Sequence, residues 1–385
     1  MQIRANVRFN QKEVNLRFPI EDDLMNFVLE ESQMPTDTTK QVFRVESILF
    51  PQDLSVLRGK EVNLDEMNYL AKRFDSFMDY EMEQFFAAVK FTKADNLKDM
   101  INLTFNLDKF TLIKDVGDMV KVGRDYVLNT QGVIPDDSKY DDKYAEIGRA
   151  ILSSGKGIVT DKGLLFVEDE PIHETYDGQV FPAYPYEDFI LGIDINYNDN
   201  TETVFLPTSD LAIEKAARRL GASCADDCKI RIEDENPNYD VLSDRFRELF
   251  ERDGVFQLNK LLKTLFDEDI DMDKLNAAID YTHAKSANDI CVLVNHIDDF
   301  ELIKDIDEDD YDEVGRYYLN KSDEYTLSED LEEYFDFYEF GEHIADEKSG
   351  EFIPEGFMYY DGDLSLDYIL DEFDGLDDEM SMGGL

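Results

Sequence analysis

Between Phe300 and Asn320 the chain places seven carboxylates in nine consecutive positions: Asp305, Asp307, Glu308, Asp309, Asp310, Asp312 and Glu313. Carboxylates this dense offer two chemistries, coordination of a hard cation or a multivalent anionic surface. An EF-hand loop counted from Asp305 requires Gly at position six and a bidentate Glu at position twelve. Those positions hold Asp310 and Arg316, so the pattern fails at both. Asp267, Asp269, Asp271 and Asp273 also alternate, but no glycine follows them. A second acidic group, Glu329, Asp330, Glu332, Glu333, Asp336 and Glu339, is interleaved with Leu331, Tyr334, Phe335, Phe337 and Phe340. That spacing predicts a helix whose aromatic side is buried and whose carboxylates stand on the other side.

Other reactive residues do not assemble into motifs. His173, His283, His296 and His343 are scattered, with no Cys, Ser or second His at catalytic spacing. Cys224 and Cys228 sit four apart, but no second Cys/His pair nearby completes a zinc site. Ser153 to Gly157 resembles half a phosphate loop, yet the glycine spacing is wrong and no strand–helix frame follows. Carboxylate pairs are too frequent to single out an acid/base dyad. The expectation is a protein that is not an enzyme and needs no metal or cofactor.

The charge balance points the same way. The 385 residues carry a net charge of −51, with 43% apolar and 12% aromatic residues, which is too rich in core formers for a disordered acidic tail. Residues 1–200 hold 37 acids and 22 bases, whereas 201–385 hold 52 and 16. In 298–385 there are 32 acids against Lys304, Arg316, Lys321 and Lys348. Such a field repels nucleic acid and anionic membranes and suits metal ions or the basic surfaces that normally hold nucleic acid. Acidity for solubility alone would not concentrate in one region. Duplex DNA carries one charge per about 1.7 Å, so 51 charges match about 87 Å of duplex, about 25 base pairs. Three cysteines without a pairing framework predict reduced thiols and a cytoplasmic protein. No apolar run approaches the ~20 residues of a membrane span, and the opening MQIRANVRFN reads as a strand, not a signal peptide.

The acidic stretch has a counterpart. Phe110–Asn129 and Phe300–Asn320 both read Phe-x-Leu-Ile-Lys-Asp, a spacer, then Val-Gly-Arg-x-Tyr. Residues 87–116 align with 277–306 without gaps, and twelve of the thirty positions are identical. Gly148, Gly157 and Gly163 match Gly341, Gly350 and Gly356 at a constant offset of 193. Pro19 and Pro207 each close a hairpin ahead of an acidic residue, Asp22 and Asp210. The pattern implies an α+β protein made of two tandem copies of one unit. Each copy has a hairpin with a helix, a helical middle and a small α+β end. The first copy spans 1–187 (parts near 1–55, 56–108 and 109–187). The second, more acidic copy spans 188–385 (parts near 188–245, 246–298 and 299–385). Residues 176–187, with Pro182 and Pro185, read as the connector.

The block DEVGRYYLN, Asp312 to Asn320, followed by Tyr334 to Tyr359, resembles the C-terminal part of ArdA antirestriction proteins. So does Phe-Pro-Ile followed by an acidic helix, Phe18 to Glu30. Over nearly its whole length the chain is similar to long ArdA-like antirestriction proteins of conjugative elements, including the ending Met382-Gly383-Gly384. The resemblance implies an elongated α+β protein that mimics bent B-form DNA. It would bind the DNA groove of type I restriction–modification enzymes and block restriction and often methylation. Family members are usually dimeric. Two copies in one chain imply either a monomeric pseudo-dimer or a homodimer. The mimic surface is expected on Asp305, Asp307, Glu308, Asp309, Asp310, Asp312, Glu313, Glu329, Asp330, Glu332, Glu333 and Asp336, acting collectively. Two other readings are a mimic aimed at a CRISPR effector or nucleoid protein, and a cation-binding acidic scaffold.

Overall fold

Alternation of apolar and polar residues builds the first sheet. The computed structural model describes residues 2–132, 138–154, 157–167, 170–321, 325 and 327–370; Gly155, Lys156 and the Met-Gly-Gly ending lie outside them. Strands β1 (Ile3–Phe9) and β2 (Lys12–Phe18) form a hairpin in which Ile3 pairs with Phe18 and Phe9 with Lys12. Helix α1 (Asp22–Glu31) follows, then β3 (Phe43–Phe50) and β4 (Glu61–Val62), giving the order β2-β1-β3-β4. Ile3, Ala5 and Val7 point inward from β1 and are fully buried.

The helical middle is α2 (Leu64–Asp75), α3 (Asp79–Thr92) and α4 (Leu97–Thr104). Asn96 starts α4, its side chain accepting from the Asp99 N–H at 2.9 Å. The α+β end comprises β5 (Phe110–Ile113), α5 (Met119–Gln131), α6 (Asp141–Ser153), β6 (Ile158–Thr160) and β7 (Gly163–Val167), with antiparallel order β5-β7-β6.

The same succession then recurs. Strands β8 (Leu191–Tyr197) and β9 (Asn200–Leu206), helix α7 (Asp210–Arg219) and β10 (Lys229–Glu235) give the sheet β10-β8-β9. Helix α8 (Ser243–Asp267), interrupted at Gly254 (φ 80°), leads to α9 (Met272–Thr282) and α10 (Ala287–Asn295). The end comprises β11 (Phe300–Lys304), α11 (Tyr311–Lys321), α12 (Glu329–Glu332), α13 (Phe337–Lys348), β12 (Glu351–Ile353) and β13 (Gly356–Tyr360), with order β11-β13-β12. The protein is thus mixed α+β with several small antiparallel sheets. Among the described residues no helix is long and apolar enough to cross a membrane.

Residues matched by the sequence repeat occupy matching places. A Cβ on Gly123 would lie 1.9 Å from the Tyr144 carbonyl oxygen, and one on Gly148 2.2 Å from that of Met119, so α5 crosses α6 backbone to backbone. Gly315 and Gly341 do the same for α11 and α13, at 2.3 Å from Phe337 O and 1.8 Å from Tyr311 O. A second pair is polar. Buried Asn68 accepts from the Ile20 N–H and donates to the Ile20 carbonyl, both at 2.8 Å. Buried Asn259 brackets Thr208 likewise, at 3.0 and 2.8 Å.

Two compact units divide the chain: Met1–Asp188 with Asp194–Val204 and Leu211–Lys229, and Phe189–Ile193 with Phe205–Asp210 and Ile230–Leu385. Burial of charge explains why α7 belongs with the first. The Lys215 ammonium is buried 2.5 Å from Asp22 and 3.0 Å from Asp65, and Asp65 also accepts from the Thr38 hydroxyl at 2.6 Å. Arg219 pairs with buried Glu202, whose carboxyl is pushed up by burial against the pull of that guanidinium. Buried ions persist only when paired and hydrogen-bonded in this way.

The stretch expected as a connector, 176–187, lacks regular secondary structure, yet it forms a pinned strap together with the residues just before it. Asn102 accepts from the Thr175 and Tyr176 N–H groups and donates to the Tyr176 carbonyl at 2.7–2.8 Å. Asn106 brackets His173 at 2.8 and 2.9 Å. The Arg73 guanidinium lies 4.3 Å from the Phe105 ring and 4.4 Å from that of Tyr184. The Tyr176 hydroxyl donates to Glu66 at 3.1 Å, and burial holds the Glu66 carboxyl above its usual range despite that bond.

Candidate anionic interface

The acidic spacer is the connection from β11 to α11. Its aspartates do conformational work besides carrying charge. Asp305 and Asp309 have φ of 60° and 66°, in the left-handed region where Asp is among the tolerated non-glycine residues. The Asp310 N–H donates to Asp307 O at 3.1 Å, closing a turn. The Asp310 side chain then accepts from the Glu313 N–H at 3.2 Å, in the first turn of α11. Asp118 has the corresponding task for α5, accepting from Val120 and Lys121. The first copy therefore keeps the cap and, in Asp115, the counterpart of Asp305, and lacks the other carboxylates of the spacer.

Asp305, Asp307, Glu308, Asp309 and Glu313 are exposed, whereas Asp310 and Asp312 are half-buried. Asp312 accepts from Arg316 Nε at 2.6 Å, and Arg316 Nη1 lies 3.9 Å from Glu332. The guanidinium carbon sits 3.9 Å from the centre of the Phe337 ring. One arginine thus joins the two acidic groups through carboxylates and a ring.

The single helix expected across Glu329 to Glu339 is corrected by the structure. Helix α12 ends at Glu332, and α13 begins at Phe337 with the Asp336 side chain accepting from the Glu339 N–H at 3.0 Å. Asp336 as an N-cap competes with continuation of the helix, because a capping residue takes a non-helical backbone. The aromatic face also divides. Phe337 is buried and Phe335 and Phe340 are half-buried, while Leu331 and Tyr334 are 55% and 78% exposed. Asp330, Glu332, Glu333 and Asp336 are exposed. The side chain of Glu329 lies outside the described residues.

All four bases of this region are engaged. Lys304 bridges Asp271 and Asp273 at 2.9 and 3.1 Å, and its hydrogen bond holds the Asp271 carboxyl below the usual carboxylate range. Arg316 is held as described, Lys321 pairs with Glu301, and Lys348 reaches Asp361 at 2.5 Å. The like-for-like part of the first copy, 109–187, has 15 acids and 9 bases, against 31 and 4 in 299–385. The carboxylates of the second end therefore outnumber the bases that could offset them. Sequence reading missed the exposure of Leu331, Tyr334 and the 48% exposed Tyr338; the Asp-x-x-Glu signature at Asp336 was the available signal for the break that exposes them.

No protein-family model, curated protein or solved structure matches the chain.

Proposed function

We propose that this protein is a DNA mimic that occupies the DNA-binding groove of type I restriction–modification enzymes. The carrying observation is the carboxylate surface of the β11–α13 region, whose four bases are all paired with carboxylates. Exposed carboxylates stand in for phosphates and meet Lys and Arg of the enzyme's groove. One exposed pair contributes under ~1 kcal/mol. Inhibition therefore comes from many pairs together, with release of counterions from both surfaces. The mechanism uses no catalytic residue and no cofactor, and nucleic acid is excluded rather than bound. The chain acts in the cytoplasm, where its target acts, as a pseudo-dimer or a homodimer.

The test is cleavage of unmodified DNA by a type I enzyme with this protein titrated in at two salt concentrations. Stoichiometric protection that weakens steeply with salt supports the proposal, and unimpeded cleavage at low salt sinks it. Recovery of a CRISPR effector or nucleoid protein from host lysate would redirect the same mechanism to that target. A stoichiometric sub-millimolar calcium site in calorimetry would favour the cation-binding scaffold instead.

A further inference from the structure

Charge alone does not account for the stretch from α12 to the start of α13. Leu331, Tyr334 and Tyr338 are 55%, 78% and 48% exposed, within one short stretch. Beside them in the sequence Asp330, Glu332, Glu333, Asp336 and Glu339 are exposed. A surface that imitated only phosphates would have no use for large apolar side chains, and exposed clusters of them mark interaction sites. The chain itself shows what such a mixture holds. Arg316 stacks 3.9 Å from the Phe337 ring centre, bonds Asp312 at 2.6 Å and lies 3.9 Å from Glu332. Ring face and carboxylates together match a planar guanidinium, which stacks and forks at once; a lysine ammonium is a compact, strongly hydrated point charge.

We infer that the α12–α13 face recognises arginine side chains of a basic protein surface in preference to lysines, with Tyr334 and Tyr338 as stacking platforms and Leu331 as an apolar anchor. A second copy of this chain is a poor occupant, since it would oppose two carboxylate-rimmed faces. The inference rests on reading the face as one that meets a basic protein. It adds a component of binding that salt screens less than it screens the ion pairs.

The probes are fluorescently labelled nona-arginine and nona-lysine peptides of equal charge, measured by anisotropy at low and near-physiological salt. Wild-type protein should prefer nona-arginine by roughly tenfold, two exposed stacking contacts at about 0.5–1 kcal/mol each. Arginine has some advantage on any acidic surface through bidentate bonds, so the informative comparison is Leu331→Ala/Tyr334→Ala/Tyr338→Ala, which leaves the charge unchanged. This variant should lose most of the preference while binding nona-lysine as before; Tyr334→Phe/Tyr338→Phe should keep it. Tyr338 packs against Tyr311 at 5.4 Å between ring centres, so Leu331→Ala/Tyr334→Ala alone serves if the triple variant misfolds. Equal binding of the two peptides, a preference unmoved by the alanine variants, or a wild-type dimer that those variants dissociate would overturn the inference. The peptide preference and the restriction assay fail independently, so an inactive inhibitor that still prefers arginine would lose its target and keep its recognition chemistry.

Discussion

Gly315 and Gly341 meet where α11 crosses α13: a side-chain carbon on Gly341 would stand 1.8 Å from the Tyr311 carbonyl oxygen, and one on Gly315 2.3 Å from that of Phe337. No rotamer relieves a clash between a Cβ and a backbone oxygen, so Gly341→Ala must separate the helices and with them Val314 and Ile344 of the local core. The expected loss is about 3 kcal/mol or more, at the upper end for overpacking. The midpoint of urea unfolding followed by circular dichroism measures it. Gly148→Ala, whose Cβ would lie 2.2 Å from Met119 O, should act alike in the first copy.

Asn259 is fully buried and satisfies both main-chain groups of Thr208, besides donating to Asp210 at 2.8 Å. Asn259→Ala leaves a half-buried donor and acceptor of Thr208 without partners, each worth up to about 1–3 kcal/mol. Asn259→Asp keeps an acceptor for the N–H and loses the donor, so it should rank between wild type and Ala in thermal unfolding. The same order is expected at Asn68, around Ile20. A variant ranking that placed Asp below Ala would mean that burying a carboxylate beside Asp210 outweighs the retained bond.

The elements of this fold are written locally. The alternation in β1 and β2, the stripes of α2 and α3, and Asn96 ahead of α4 each report burial or capping within a few residues. The repeat carried further still, because Gly123, Gly148, Gly315 and Gly341 align in sequence before their shared cause, backbone contact between helices, is visible. What escaped depends on partners distant in the chain. Asn102 and Asn106 hold a strap about seventy residues away, and Lys215 is buried only because Asp22 and Asp65 converge on it. Polar residues of this kind look like surface to any reading of periodicity. At the candidate site, the aromatic spacing of Leu331 to Phe340 concealed the break that Asp336 imposes. The aspartates of the spacer were legible as charge but not as turn formers.

Glu66 gives a pH dependence with a definite sign. Its carboxyl is raised in the folded protein, chiefly by burial and against the hydrogen bond from Tyr176. The folded state therefore holds this proton more tightly than the unfolded chain does. Below the ordinary carboxylate value Glu66 is protonated in both states. As pH rises from that value through the folded value, its contribution to stability falls, and it stays low above. Glu66→Gln removes the ionisation and keeps an acceptor for Tyr176. The variant should be more stable than wild type at pH 7, with the gap closing toward pH 4, in paired thermal melts. A gap constant with pH would show that ionisation of Glu66 does not carry the difference.

The distributed surface makes an asymmetric claim about substitutions, and the structure says which ones are clean. Asp310 and Asp336 cap helices and Asp312 holds Arg316, so neutralising them would mix fold with charge. Asp305, Asp307, Glu308, Asp309, Glu313, Asp330 and Glu333 are exposed. Asn is as tolerant of positive φ as Asp, so Asp305→Asn and Asp309→Asn spare the turn. Any one of these seven neutralised should shift the inhibitory concentration by less than about fivefold, the equivalent of an exposed pair under ~1 kcal/mol. All seven together should weaken inhibition by at least about a hundredfold at physiological salt and flatten its dependence on salt, since fewer counterions are released. The restriction assay at two salt concentrations reads both quantities. A single substitution that abolished inhibition with the fold intact would replace the distributed surface by one essential contact.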